Sequence, residues 1–235
     1  MGHGLFITGT DTGVGKTAVA CALATKLRAQ GHDVGVMKPV LTGANVHPND
    51  TDRLMLAAKV SDPRHLVSPY QFNHTLAPQI AAERDKVPID IQNIKTAFDA
   101  LHAQHDILLV EGIGGIMVPI TKEFYVLDLI TLLGLSVLVV ARGNIGTINH
   151  SVMTIKLLQI HKIPVAGLVL NYPNTTPVHS PQDLGWPRIL RSTGVNSRGI
   201  LKHISNLEES WDEGIVYLSQ QLLTDDLFSV HTQSE

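Results

Sequence analysis

Leu5-Phe6-Ile7-Thr8-Gly9-Thr10-Asp11-Thr12-Gly13-Val14-Gly15-Lys16-Thr17 reads as a strand, a Gly/Thr-rich turn and the start of a helix. Glycines in such a turn let the backbone curl so that successive N–H groups face inward, where phosphate oxygens fit. The helix that follows adds the partial positive charge of its N-terminus. Lys16 is placed to reach β- and γ-phosphates, and the Thr17 hydroxyl to hold Mg²⁺. A strict loop of this kind has glycine five residues before Gly15. Here Thr10 stands there and Gly9 is the nearest glycine, so the stretch predicts a phosphate-binding loop of variant pattern.

The rest of the chain repeats the strand-then-helix rhythm. Apolar runs at residues 5–8, 34–38, 107–111, 136–141 and 165–170, with a weaker one near 199–201, do not alternate with polar residues. That is how strands buried on both faces read. Between them, Val19, Leu23 and Leu27 follow helical spacing, as do Ile94, Phe98 and Leu101, then Met153, Leu157 and Ile160, and last Trp211, Ile215, Leu218 and Leu222. This alternation predicts an α/β fold of three layers, a mostly parallel sheet with helices on both faces. Residues 1–228 are expected to form one domain, with 229–235 frayed at the end. Two turn-rich segments, 39–50 and 172–187, interrupt the rhythm. The first follows a strand directly, where open α/β sheets place binding loops.

A phosphate loop implies a nucleotide and little more, so the discriminating residues lie further on. Lys38 ends the second strand before Pro39, beside the sheet end that carries the loop, and suits charge on a transferring phosphoryl group. Thr42 and Gly43 follow, and Asp50-Thr51-Asp52 opens a helix. Asp50 suits an N-cap; for Asp52, a Mg²⁺ contact and a plain helical role both stay open. Residues 107–111 form an apolar strand that ends in Glu111 and runs into Gly112-Ile113-Gly114-Gly115. A carboxylate at that strand end meets the metal held by Thr17, and the glycines let backbone approach the phosphates.

Composition removes other classes of function. The 235 residues carry a formal charge of −3, so no basic field points to nucleic acid or anionic lipid. One cysteine, Cys21, excludes an intrachain disulfide and a cysteine metal cluster, and its place on the buried face of a helix reads as core. None of the twelve histidines forms a helical i, i+4 pair. The N-terminus lacks a basic segment before its short apolar stretch, and the apolar part between Asp128 and Arg142 falls short of the ~20 residues that span a membrane. A cytoplasmic protein is expected.

Taken in order, the 9–17 loop, Lys38-Pro39-Val40 and Val110-Glu111-Gly112-Ile113-Gly114-Gly115 resemble dethiobiotin synthetase, a family with the P-loop NTPase fold. Gly146-Thr147-Ile148-Asn149-His150 is similar to that family's Gly-x-Ile-Asn-His segment. The resemblance implies that CO₂ adds to one amine of diaminopelargonate, ATP phosphorylates the carbamate, and the second amine closes the ureido ring of dethiobiotin. Gly13, Val14, Gly15, Lys16, Thr17 and Ala18 would then cradle ATP, with Gly112, Ile113 and Gly114 against the phosphates and Asn171 at the adenine. Lys16, Lys38 and Thr12 would be catalytic, with Thr17, Asp52 and Glu111 arranging Mg²⁺. Thr12, Lys38, Thr42, Gly146, Thr147 and Asn149 would bind the diamine, in a site shared across a homodimer. One departure is Lys202, which stands where the family has a proline lining the adenine pocket.

Two other classes compete. Partition-type or switch ATPases carry a second lysine near the start of the loop, where this chain has Asp11, and GTPase switches need an Asn-Lys-x-Asp motif that is missing. The synthetase half of a glutamine-dependent amidase shares the loop style. It requires a nucleophilic cysteine in a further domain, yet the only cysteine is Cys21.

Overall fold

A computed structural model describes residues 2–173 and 179–228. The tail expected to fray, 229–235, and part of the 172–187 segment lie outside them. The elements run β1 (His3–Gly9), α1 (Lys16–Ala29), β2 (Val34–Met37), β3 (Val40–Thr42), α2 (Asp50–Ala58), α3 (Arg64–Val67) and β4 (Tyr70–Phe72). Next come α4 (Pro78–Asp85), α5 (Ile91–His102), β5 (Ile107–Gly115), β6 (Pro119–Thr121), β7 (Phe124–Tyr125) and α6 (Val126–Leu133). The last third holds β8 (Ser136–Arg142), α7 (Thr147–Ile160), β9 (Val165–Asn171), α8 (Trp186–Thr193), β10 (Ser197–Leu201) and α9 (Trp211–Gln220).

Six parallel strands form the central sheet in the order β10-β9-β8-β1-β5-β2. The chain lays β2 and β5 on one side of β1 and β8, β9 and β10 on the other. Loops at the carboxyl end of β1 therefore open into the crevice where the winding reverses. Strand residues serve two cores in turn, as period two demands. Leu5, Ile7, Ile107 and Leu109 meet Val19, Leu23 and Leu27 of α1, Leu54 of α2 and Ile215 of α9. Phe6, Leu108 and Val110 meet Ile94, Phe98 and Leu101 of α5, Ile130 of α6, Ile155 of α7 and Ile189 of α8. Each fully buried leucine or phenylalanine contributes about 1.5–3 kcal/mol. Cys21 is a buried free thiol, which burial pushes well above the ordinary value.

Several boundaries differ from the sequence reading. β2 stops at Met37, because the Lys38 N–H leaves the sheet and donates to the Val67 carbonyl at 2.7 Å. β5 continues through the glycines to Gly115, which pairs with Gly9 after a register shift. The 39–50 segment contains β3, paired in parallel with β4 in a small separate sheet. α7 begins at Thr147. Its core face is Ser151, Thr154, Ile155 and Leu158, while Met153 is 60% and Ile160 74% exposed. The apolar spacing of Met153 and Ile160 marks the outer face; the inner one mixes Ile155 and Leu158 with the small hydroxyl residues Ser151 and Thr154.

Candidate active site

The loop between β1 and α1 is held from several sides. Thr10 N–H donates to the Val140 carbonyl at 2.9 Å, and Val14 is fully buried beneath the turn. Gly15 precedes α1 at φ +90°, and a Cβ there would lie 2.1 Å from Asn171 Nδ2. Only glycine fits both the backbone angle and that approach. No side chain caps the helix, so its first N–H groups remain available to an anion. Asn171, buried at the end of β9, donates from Nδ2 to the Val14 carbonyl at 2.8 Å, which leaves its amide oxygen as an acceptor beside the loop.

Lysines from two neighbouring segments converge on the loop's β5 side. Lys16 Nζ donates to the Asp11 carbonyl at 3.1 Å. Its burial, with Lys38 nearby, lowers its pKa to about 8. Lys38 is 3% exposed and donates to Glu111 Oε1 at 2.6 Å and to the Gly112 carbonyl at 3.1 Å; Asp50 Oδ2 lies 3.0 Å from the same nitrogen. Burial alone would weaken that ammonium, but the two carboxylates outweigh it and hold Lys38 above its ordinary range. Glu111 is 1% exposed, and burial pushes its carboxyl up while Lys38 pulls it down. Asp50 is held below the usual carboxylate range: against its partial burial, the Lys38 ammonium 3.0 Å away, helped by the charge of Lys16, favours the carboxylate.

Thr17 Oγ1 donates to Glu111 Oε1 at 2.9 Å, while Glu111 Oε2 is buried with no hydrogen-bond partner. A hydroxyl and two carboxylates, one with a buried oxygen unpaired, form a hard-oxygen donor set that suits Mg²⁺ completed by phosphates and water. Among the described residues no group of three or more His, Cys, Asp or Glu side chains forms a metal cluster, and such a site needs none.

The second carboxylate beside Lys38 belongs to Asp50, which the sequence reading took as an N-cap, whereas the family resemblance implied Asp52 as the helix's Mg²⁺ ligand. Asn49, not Asp50, is the N-cap. Asp52 completes a capping box with it: Asp52 Oδ2 accepts from Asn49 N at 2.9 Å, and Asp52 N donates back to Asn49 Oδ1 at 3.1 Å. Arg64 Nη1 lies 2.5 Å from the other Asp52 oxygen, and His47 Nδ1 2.8 Å from Oδ2. Both oxygens are thus engaged away from Thr17. Asp50, Leu54 and Ala58 share one helical stripe, and the latter two are core.

Other expected residues divide into two groups. Thr12 is exposed at the loop tip, near the β5 turn: a Cβ on Gly114 would stand 3.5 Å from Thr12 Oγ1. Thr42 closes β3, half-buried, four residues past Lys38. At α7, Thr147 is buried with its hydroxyl 3.4 Å from Ser151 Oγ, whereas Gly146 and Asn149 are exposed and no hydrogen bond ties them to the phosphate loop. Lys202 is exposed just past β10, beside the edge where Leu201 pairs with Asn171.

Comparison with known proteins places this arrangement. A family model described as an AAA domain matches residues 3–209. The ATP-dependent dethiobiotin synthetase of Anaeromyxobacter sp. (strain Fw109-5) is 41% identical over 88% of this chain and 93% of its own. That of Thermodesulfovibrio yellowstonii is 36% identical over 89% of this chain and 92% of its own. This chain belongs to the dethiobiotin synthetase family. Among solved structures, the MinC:MinD cell division complex of Aquifex aeolicus superposes with a TM-score of 0.58 at 15% identity, covering 93% of this chain and 94% of that one. At that identity the likeness extends to the fold alone, the parallel P-loop sheet that dethiobiotin synthetase family members and division ATPases share.

Proposed function

We propose that this chain uses ATP to carboxylate diaminopelargonate and close the ureido ring of dethiobiotin. The observation that carries the reading is the pair of buried lysines, Lys16 on the phosphate loop and Lys38 at the next strand's end, in a chain of this family. One amine of the substrate attacks CO₂ and loses a proton, giving a carbamate. A carbamate oxygen attacks the γ-phosphorus, the bond to the bridging oxygen breaks, and ADP leaves. The second amine then attacks the carbonyl carbon, the C–O bond to phosphate breaks as phosphate departs, and that nitrogen releases one proton to solvent.

The chain's work in these steps is positioning and charge neutralisation. Lys16, donated from inside the loop, offsets charge on the β- and γ-phosphates. Lys38, pinned by three acceptors, presents a fixed cation to the transferring group. The Thr12 hydroxyl contacts carbamate or γ-phosphate, and Thr42 the diamine end. Asn171 offers its amide oxygen to the adenine amine. Thr17, Glu111 and Asp50 would hold Mg²⁺, which would neutralise triphosphate charge when bound.

The tail of the diamine is assigned to Gly146, Thr147 and Asn149 at the start of α7. Ile145, Ile148, Met153 and Ile160 leave an apolar surface exposed around that helix. Such a surface supports a two-fold interface with a second copy and a substrate site shared between subunits. Among the described residues no helix is long and apolar enough to cross a membrane, in keeping with a cytoplasmic enzyme.

The test is product formation. Diaminopelargonate with bicarbonate should stimulate phosphate release from ATP and yield dethiobiotin by mass spectrometry. ATP turnover indifferent to the diamine, yet raised by a partner protein, would favour the switch-type reading instead.

A further inference from the structure

Arg142 closes β8 and reaches the phosphate loop from the side opposite Lys38. Its Nη2 donates to the Thr12 carbonyl at 2.7 Å, and a Cβ on Gly13 would lie 3.5 Å from the same nitrogen. Its Nε is buried with no partner, and no carboxylate pairs with the guanidinium among the described residues. A cation therefore rests on the loop tip without an anion of its own.

The peptide joining Thr12 and Gly13 is planar and trans, so its C=O and N–H point in opposite directions. Turning the Thr12 carbonyl outward to Arg142 turns the Gly13 N–H inward, to the concave side of the loop. Gly13 takes φ +71°, which glycine adopts without strain. The N–H groups of Gly13, Val14 and Gly15 have no acceptor among the described residues, whereas those of Thr10 and Thr12 are engaged. Lys16 donates to the neighbouring Asp11 carbonyl from within the loop. Two cations thus hold two successive carbonyls, one from each side.

We infer that Arg142 is a positioning residue for the triphosphate: it presets the Gly13 N–H toward a phosphate oxygen and supplies a positive charge that does not titrate. The inference rests on reading the loop as a phosphate site. Calorimetric Kd values for ADP, and KM values for ATP and for diaminopelargonate, should be measured in wild type, Arg142→Ala and Arg142→Lys. Arg142→Ala should weaken ADP binding and raise KM for ATP by about 10- to 100-fold, the worth of one hydrogen bond to a charged group. KM for the diamine and the melting temperature should hold. Arg142→Lys should recover part of the loss, since an ammonium can donate to a single carbonyl, and it serves as the test if the alanine variant fails to fold. Nucleotide affinity unchanged within twofold in Arg142→Ala, or in Arg142→Lys where the alanine variant does not fold, overturns the arginine's role. Equal rises in both KM values also overturn it, because they indicate a general structural effect. Wild-type protein that binds no nucleotide overturns the phosphate-loop reading itself.

Discussion

The two ends of this molecule's site are built on opposite principles. At the β2–β5 side, buried Lys38 and Glu111 and half-buried Asp50 and Thr17 form a mutually bonded cluster in which nearly every polar atom is spent. At the start of α7, Asn149 is exposed and apolar side chains face outward. The first region is complete within one chain and held stiffly by charge pairs in a low-dielectric setting. The second is open and needs something further, substrate or a second copy, to cover it. Chemistry is assigned to the rigid end and substrate grip to the open end. That division is what mutation can break.

Substitution of the lysines should give the largest effects, and the two should differ in kind. Lys16→Ala and Lys38→Ala should each lower kcat by about 10²–10³-fold, as expected when a preorganised charge is lost from the transition state. Lys38→Ala also strands Glu111 in the interior, so its unfolding free energy should fall by about 3–5 kcal/mol. Lys16 is buried at a cost, as its lowered pKa records, and Lys16→Ala should keep wild-type stability in urea titrations. Equal stability losses would erase the distinction.

The next contrast lies within α2. Asp50→Asn should cut ATP turnover by about tenfold or more and shift the Mg²⁺ dependence to higher concentration. Asp52→Ala should leave turnover near normal while lowering stability by about 1–2 kcal/mol through the lost cap. The reverse ranking would restore Asp52 to the metal.

Acidity sharpens the same picture. Lys16 is charged in the free enzyme below about 8 and neutral above it. The kcat/KM for ATP should therefore fall as pH rises through about 8, approaching about tenfold per unit. Because its folded pKa lies below the unfolded one, the unfolded chain binds more protons between about 8 and the ordinary lysine value. Stability should consequently rise with pH in that window, and Lys16→Met should flatten the rise.

The open end should respond most mildly. Asn149→Ala should raise KM for the diamine several-fold with kcat little changed, since it removes binding remote from the reacting atoms. An unchanged KM would detach Asn149 from the substrate. In sedimentation, Met153→Asp should yield monomers if α7 forms the two-fold interface.

How much was legible follows from how local each feature is. The phosphate loop is contiguous, and its glycines, lysine and threonine declare their use in order. Lys38 and Glu111 could be read because strands of a parallel sheet bring their carboxyl ends to one edge whatever their separation in sequence. Asp50 and Asp52 could not be ranked without the helix's phase, since two residues on a helix point to different sides. On α7, Met153 and Ile160 follow helical spacing yet face outward, because Ile155 and Leu158, with Ser151 and Thr154, form the inner face.

Residue order alone determined the parallel sheet, the phosphate loop and the two lysines, because short-range periodicity and a contiguous turn need no knowledge of distant neighbours. Tertiary structure alone decided which carboxylate faces Lys38, where Arg142 lands and which side of α7 stays bare. Those outcomes depend on helix rotation and strand adjacency, which are settled only when both cores close together.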